Sequence, residues 1–328
     1  LKKEVIKDLE RYKKLYTMLT TDAFVSITTR CNASCRHCIN GSNVEQFDAQ
    51  YDDVMSWLEQ LKECGSQSIH FVGGEPFFIA DKLIDYVKKT NELGMNAGVV
   101  TNAFWAKDKD KAIELLEKMP GLHNVVISTD KYHLEYIDAQ TVKNAIDACF
   151  ETGKFPNINM IYVEKEEIIE INDIYKEYLN KIFIQPIKAM PFEHSDSEKL
   201  IKVKPFKKPR IVPRYCHIGN IVIGIEGRVD ACCQSSRSDD SKYLNYGNMN
   251  EMHLKKLMQN FRNKDVASFI SRYGPRGVVE KFAQTELIDD LINKEFTGGC
   301  EVCCDLLNNP KLLERFKNQI NEEYLEAK

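Results

Sequence analysis

The sequence predicts an α/β fold, a partial (β/α)6 TIM-like barrel over residues 21–193, followed by a cysteine-rich domain over 211–308. Three observations carry this. Short apolar segments alternate with amphipathic segments of ten or more residues from about 24 to 187, the alternation stops near 190, and six of the eleven cysteines follow residue 210. Buried strands alternating with helices imply a parallel sheet with right-handed crossovers. Six such units make a barrel or part of one, with sites at the C-terminal ends of the strands.

Taken in order, residues 1–20 place Val5, Leu9, Tyr12, Tyr16 and Leu19 at helical spacing, predicting an N-terminal amphipathic helix with a solvated charged face. FVSITT (24–29) predicts the first strand, 51–64 a helix, SIHFV (68–72) a strand and 81–93 a helix closed by Gly94. NAGVVT (96–101), a helix over 108–119, NVVIST (124–129) and a helix over 141–152 closed by Gly153 continue the alternation. NINMIYV (157–163) and KIFIQPI (181–187) flank a helix near 165–179. Residues 194–210 are charged, carry Pro205 and Pro209, and read as a linker. Beyond it stand a hairpin candidate turning at Glu226 and Gly227, long helical stretches, and a C-terminal helix over 309–328.

Composition narrows the function. With 45 Lys+Arg against 49 Asp+Glu in 328 residues and a net charge of −4, the chain lacks the basic excess of a nucleic-acid binder. A mean hydropathy of −0.40 and the lack of a long apolar run argue against spanning a membrane. Residues 1–20 show no apolar signal core, so a cytoplasmic location is expected. Thiols stay reduced there, and eleven cysteines then read as metal ligands, reactive thiols and core residues rather than disulfides.

Cys31, Cys35 and Cys38 follow the first strand directly, in CNASCRHC. Three thiolates at this spacing can wrap one face of a cube-shaped iron–sulfur cluster and leave one iron without a protein ligand, whereas ferredoxin-type clusters normally take four cysteines. A structural zinc site fits three cysteines poorly unless His37 supplies a fourth ligand. The second feature is Gly73, Gly74, Glu75 and Pro76 at the end of the second strand. Two glycines let a backbone approach a ligand closely, and a carboxylate suits an ammonium partner.

Together these two segments resemble the radical S-adenosylmethionine (radical SAM) superfamily, over roughly residues 22–190. The resemblance implies a [4Fe–4S] cluster on Cys31, Cys35 and Cys38, with S-adenosyl-L-methionine chelating the open iron and its amino group met by Gly73–Pro76. It makes His37, Asn102, Ser128 and Asp130 candidates for cofactor contacts, although Ser, Asn and Asp also favour these positions as ordinary caps. In such enzymes the reduced cluster cleaves the sulfonium, and a 5′-deoxyadenosyl radical abstracts hydrogen from the substrate. A low-potential donor such as flavodoxin or ferredoxin is the implied electron source.

Cys216, the Cys232-Cys233 doublet and Cys300-x2-Cys303, followed by Cys304, make a second group. Cys216, Cys232, Cys300 and Cys303 supply four ligands, and the geometry would also suit zinc. With Gly227, Tyr246, Gly247 and Asn248, this arrangement resembles the SPASM/Twitch extension of radical SAM peptide maturases, implying one auxiliary [4Fe–4S] cluster. A closer resemblance is to radical SAM epimerases of the epipeptide type, carried by CNASC, GGE, the Asn102–Trp105 run, DKYH and the CC doublet. It implies a ribosomally synthesised precursor peptide as substrate and a hydrogen-donor role for Cys233, with Cys232 as ligand. Asn220 departs from the Asp expected shortly after the first auxiliary cysteine. Peptide crosslinking or dehydrogenation, with the auxiliary cluster accepting an electron, is the alternative reaction; a metal-binding sensor is the alternative class. About twenty N-terminal residues are too few for an appended peptide-binding domain, so the barrel mouth and C-terminal domain are expected to capture the substrate. Cys64, Cys149 and Cys304 are left for packing.

Overall fold

The computed structural model describes residues 22–38, 45–189, 220–232, 244–260, 266–267, 270, 273–275 and 299–326. The chain divides into two compact units, one of Thr21–Val203 with Ile223–Gly227, the other including Arg228–Lys328. The expected N-terminal helix and the 194–210 linker lie outside the described residues.

The first unit alternates strand and helix: β1 (Asp22–Thr28), α1 (Tyr51–Glu63), β2 (Ser68–Gly73), α2 (Ala80–Glu92), β3 (Asn96–Thr101) and α3 (Lys109–Glu117). It continues with β4 (Leu122–Ser128), α4 (Ala139–Glu151), β5 (Phe155–Tyr162), α5 (Glu166–Ile174) and β6 (Ile184–Lys188). Every neighbouring pair from β1 to β6 is parallel, and spatial order follows sequence order. An order without reversal belongs to a barrel wall; a doubly wound sheet reverses at a switch point.

Alternating positions of the strands are buried, as with Ala23, Val25 and Ile27 on β1 and Val125 and Ile127 on β4. On α1 the buried side chains Val54, Trp57, Leu58 and Leu61 recur at helical spacing. Leu83, Tyr86, Val87 and Thr90 do the same on α2. Burying each large apolar side chain contributes about 1.5–3 kcal/mol.

Two elements differ from expectation for local reasons. α4 begins at Ala139 rather than 141 because the Asp138 carboxylate accepts the Thr141 N–H at 2.8 Å, capping the helix early. The helix expected near 165–179 ends at Ile174 and resumes as a 3-10 turn at Lys176–Tyr178. Between them Tyr175 is fully buried, its hydroxyl 2.8 Å from Thr129 Oγ1.

Beyond the barrel, β7 (Ile221–Ile223) and β8 (Arg228–Asp230) flank the predicted turn, where the Gly227 N–H reaches the Gly224 carbonyl at 2.9 Å. In the second unit β8 pairs antiparallel with β9 (Asn245–Asn248). α6 (Leu254–Asn260), α7 (Gly299–Asn308) and α8 (Pro310–Glu326) follow. Asn309 separates the last two helices, its side-chain oxygen accepting the Lys311 and Leu312 N–H groups, with Pro310 in the first helical position. Among the described residues no helix is long and apolar enough to cross a membrane.

Candidate functional site

The loop leaving β1 carries Cys31, Cys35 and Cys38, with the Cys38 N–H turned onto the Cys35 carbonyl at 2.9 Å. Cys35 is buried and the other two are half-buried. Burial pushes the Cys31 thiol up to about 11, with the charges of Glu75 and Cys38 adding to it. Cys35 is driven higher still, first by burial and then by Cys38, Asp130 and Cys31. Cys31 and Cys35, both raised in this way, form a poor site for bare thiolates. Iron reverses that logic, because it binds the deprotonated form. The donor set therefore fits an iron–sulfur cluster.

The loop leaving β2 packs against the cysteine loop backbone to backbone. The Gly74 N–H reaches the Thr28 carbonyl and the Glu75 N–H the Arg30 carbonyl, both at 2.7 Å. Gly73 takes φ +133°, and a Cβ there would lie 2.2 Å from the Thr28 oxygen; one on Gly74 would lie 2.3 Å from the Arg30 oxygen. Both glycines are thus required by the polypeptide itself, in addition to any ligand. Pro76 is buried and opens the 3-10 turn Pro76–Ile79.

The Glu75 carboxylate, expected to face an ammonium group, points inward and is fully buried. It accepts the Thr101 hydroxyl at 2.8 Å, the Asn102 N–H at 2.6 Å and the Phe77 N–H at 3.2 Å. Burial pushes its pKa up to about 7, against the pull of those three donors. At the end of β3 the Asn102 amide oxygen accepts the Phe104 N–H at 3.0 Å. Its Nδ2 lies 2.8 Å from Asn32 Oδ1 and 3.8 Å from Cys31 Sγ. Ala103 follows with φ +66°, and the Trp105 indole N–H closes back onto Thr101 Oγ1 at 3.0 Å. Phe77 stacks on Trp105 with centroids 4.5 Å apart, and Phe78 on Phe104 at 5.0 Å.

The loop leaving β4 grips the cysteine loop from the other side. Asp130 is fully buried and accepts His37 Nε2, His133 Nδ1 and the N–H groups of Tyr132, His133 and Ile161. Burial would raise this carboxyl, but the bonds from His133 and His37 outweigh it and hold it well below the usual carboxylate range. Arg36 pairs with Glu135, and the Tyr136 hydroxyl donates to the Ser34 carbonyl at 2.9 Å. Ligand atoms of His37, Asp130 and His133 lie within 4.8 Å of one another. The N–H groups already supplied to the carboxylate make this trio a hydrogen-bonded clamp. Ser128 is half-buried at the end of β4, in register with Asn159 of β5.

The structure thus brings the three cysteines, Gly73–Pro76, Asn102, Asp130 and His37 into one set of adjoining loops. Sequence reasoning missed Asn32, Arg36, Glu135 and Tyr136, which tie those loops together. For Glu135 and Tyr136 the signal is the density of charged and aromatic residues in DKYHLEY, after the fourth strand; Asn32 and Arg36 stand between the cysteines of CNASCRHC. In the second group, Cys232 is half-buried two residues past β8, close enough for its charge to add to the burial that pushes the Tyr246 hydroxyl up. Cys300 and Cys303 both fall in α7. Cys216 and Cys233 lie outside the described residues.

Residues 25–178 match the radical SAM superfamily, and the chain carries a radical SAM domain. Such a domain works with a [4Fe–4S] cluster and S-adenosylmethionine. Among relatives, YydG of Bacillus subtilis (strain 168), whose name places it in peptide biosynthesis, is 24% identical over 318 residues, 92% of this chain and 97% of YydG. A GTP 3′,8-cyclase of Listeria welshimeri is 26% identical over 196 residues, 55% of this chain and 57% of the cyclase. In fold, the chain resembles Streptococcus suis SuiB bound to S-adenosylmethionine, with a TM-score of 0.60, 18% identity and coverage of 80% of this chain and 71% of SuiB. It also resembles anSMEcpe with bound AdoMet and a peptide, with a TM-score of 0.56, 15% identity and coverage of 90% and 99%.

Proposed function

We propose that the chain modifies a ribosomally synthesised precursor peptide by radical SAM chemistry, epimerising L-residues to D. The observation that carries the peptide substrate is the near full-length likeness to YydG, whose name refers to peptide biosynthesis. In this reading Cys31, Cys35 and Cys38 hold the first cluster, and Gly73–Pro76, Asn102, Ser128, Asp130 and His37 shape the cofactor's surroundings. Cys216, Cys232, Cys300 and Cys303 hold an auxiliary [4Fe–4S] cluster. The reducing cytoplasm suits this use of thiols.

When bound, the first cluster and S-adenosylmethionine supply a 5′-deoxyadenosyl radical that takes a Cα hydrogen atom from the peptide. Cys233 then returns a hydrogen atom to the opposite face of Cα, leaving a thiyl sulfur. One electron and one proton restore the thiol. With the electron spent on cleaving the sulfonium, each event consumes two electrons from a low-potential donor such as flavodoxin or ferredoxin. The doublet supports this reading, because one cysteine can ligate while its neighbour stays a thiol.

The test is anaerobic reconstitution with iron, sulfide, S-adenosylmethionine, a reductant and the peptide encoded beside the gene, in D₂O. Epimerisation is expected to add one deuterium per event with no other mass change, because the thiol exchanges with solvent. Loss of two hydrogens per event would instead establish crosslinking or dehydrogenation. D-residue formation that survives Cys233→Ala would remove Cys233 from the mechanism.

A further inference from the structure

We propose that Asn102 is a positioning residue that acts on the first cluster through a ligand: its side-chain N–H donates to the Cys31 sulfur and makes the cluster easier to reduce. The orientation of the amide is fixed by its neighbours. Oδ1 accepts the Phe104 N–H at 3.0 Å, so Nδ2 must face the other way. Its two hydrogens meet Asn32 Oδ1 at 2.8 Å and Cys31 Sγ at 3.8 Å. A flipped amide would set N–H against N–H at Phe104 and oxygen against oxygen at Asn32.

The backbone beneath this side chain is equally held. The Asn102 N–H is bound by the buried Glu75 carboxylate at 2.6 Å, and the Ala103 N–H by Thr101 Oγ1 at 3.0 Å. Asn102 itself is 6% exposed. The donor is therefore aimed before any cofactor arrives. A ligand sulfur carries more negative charge when its cluster is reduced, so an N–H pointed at it stabilises the reduced state more than the oxidised one. Hydrogen bonds to sulfur are among the levers that set cluster potentials. The resemblance marked Asn102 as a cofactor contact; the geometry gives it work on the cluster itself, independent of which peptide reaction follows.

The experiment is an EPR-monitored redox titration of the reconstituted full chain, with no S-adenosylmethionine added. The first cluster's signal is the one that Cys35→Ser abolishes. Asn102→Leu keeps the approximate size and removes the donor. The reduced-to-oxidised ratio at a fixed potential is expected to fall about tenfold, a downward shift of about 59 mV for a one-electron couple. Asn102→Asp keeps the acceptor for the Phe104 N–H and puts an anion in place of the donor, so its shift is expected in the same direction and larger. An unchanged potential in Asn102→Leu, or a shift present only after S-adenosylmethionine is added, overturns the proposal. If Cys35→Ser leaves every cluster signal in place, the ligand assignment falls, and the proposal with it. Should both Asn102 variants lose the cluster, labelling the native protein with asparagine carrying ¹⁵N only in the side-chain amide decides, since the Asn32 backbone N–H also reaches Cys31: pulsed EPR is expected to detect an asparagine amide nitrogen coupled to the reduced first cluster, and its absence overturns the assignment.

Discussion

His37 places Nε2 3.1 Å from both carboxylate oxygens of Asp130, joining positions 93 residues apart. The contact fastens the cysteine loop, between Cys35 and Cys38, to the end of β4. Because Asp130 is fully buried and every donor around it is an N–H, the clamp depends on the carboxylate staying ionised and keeping all its acceptors.

Asp130→Asn offers one carbonyl where two oxygens stood, and its NH₂ faces donors. The variant is expected to lose about 3 kcal/mol of stability, in the range for breaking a buried charged pair. Urea denaturation of the cluster-free protein measures this. Reconstituted iron should fall as well, since the loop carrying Cys35 and Cys38 is released. A midpoint equal to the parent's would show that the clamp contributes nothing.

Two glycine substitutions are expected to separate loop packing from backbone strain. In Gly74→Ala the new Cβ would sit 2.3 Å from the Arg30 carbonyl oxygen and 2.6 Å from that of Thr29, both rigid backbone atoms one and two residues before Cys31. In Gly153→Ala the Cβ meets nothing within 4 Å, and only the left-handed φ of +69° is disfavoured. Gly153→Ala should cost about 1 kcal/mol and leave iron binding untouched. Gly74→Ala should cost about 1–3 kcal/mol and lower the iron retained, by about half if the proposed auxiliary cluster holds the rest. Equal iron in the two variants would separate Gly74 from the cluster.

Glu75→Gln tests the inward role of that side chain. A carboxamide cannot accept from Thr101, Asn102 and Phe77 on both of its terminal atoms, so at least one buried donor is left unpaired. A loss of about 1–3 kcal/mol is expected, read as a lowered thermal midpoint in the absence of S-adenosylmethionine. A variant that is as stable as the parent but binds S-adenosylmethionine weakly would return Glu75 to the ammonium-partner role.

Much of this was legible in the sequence, because periodicity and capping are local. NAGVVT at 96–101 coincides with β3, the cysteine loop follows β1, and Gly73–Pro76 stands at the end of β2, as their positions predict. What hid was non-local. That Glu75 turns toward Thr101 and Asn102 depends on how two loops meet, and no pattern within either segment encodes it. The break at Tyr175 is hidden likewise: it coincides with a buried tyrosine whose hydroxyl partner, Thr129, stands 46 residues away. Strand-end position and the family resemblance point to Asn102 as a cofactor contact; its donor to Cys31 is visible only in the structure, where the Phe104 N–H fixes the amide.

Acid stability is expected to depend on a histidine remote in sequence from the cysteine loop. His70 on β2 stacks on Phe24 of β1 at 5.0 Å and stands in register with Gly98 of β3, where a Cβ would come 2.6 Å from its Nδ1. Burial holds its pKa below the ordinary histidine value, and the opposing pull of Asp22 is weaker. The folded chain therefore favours the neutral ring, while the unfolded chain takes a proton below about pH 6.5. The contribution of neutral His70 is fully present above that pH. It declines as the pH falls below it, toward the lower folded pKa. The urea midpoint should accordingly drop between about pH 7.5 and 5.5, and His70→Gln, which cannot titrate, should flatten that drop. An acid-side slope unchanged in His70→Gln would assign the effect to another group.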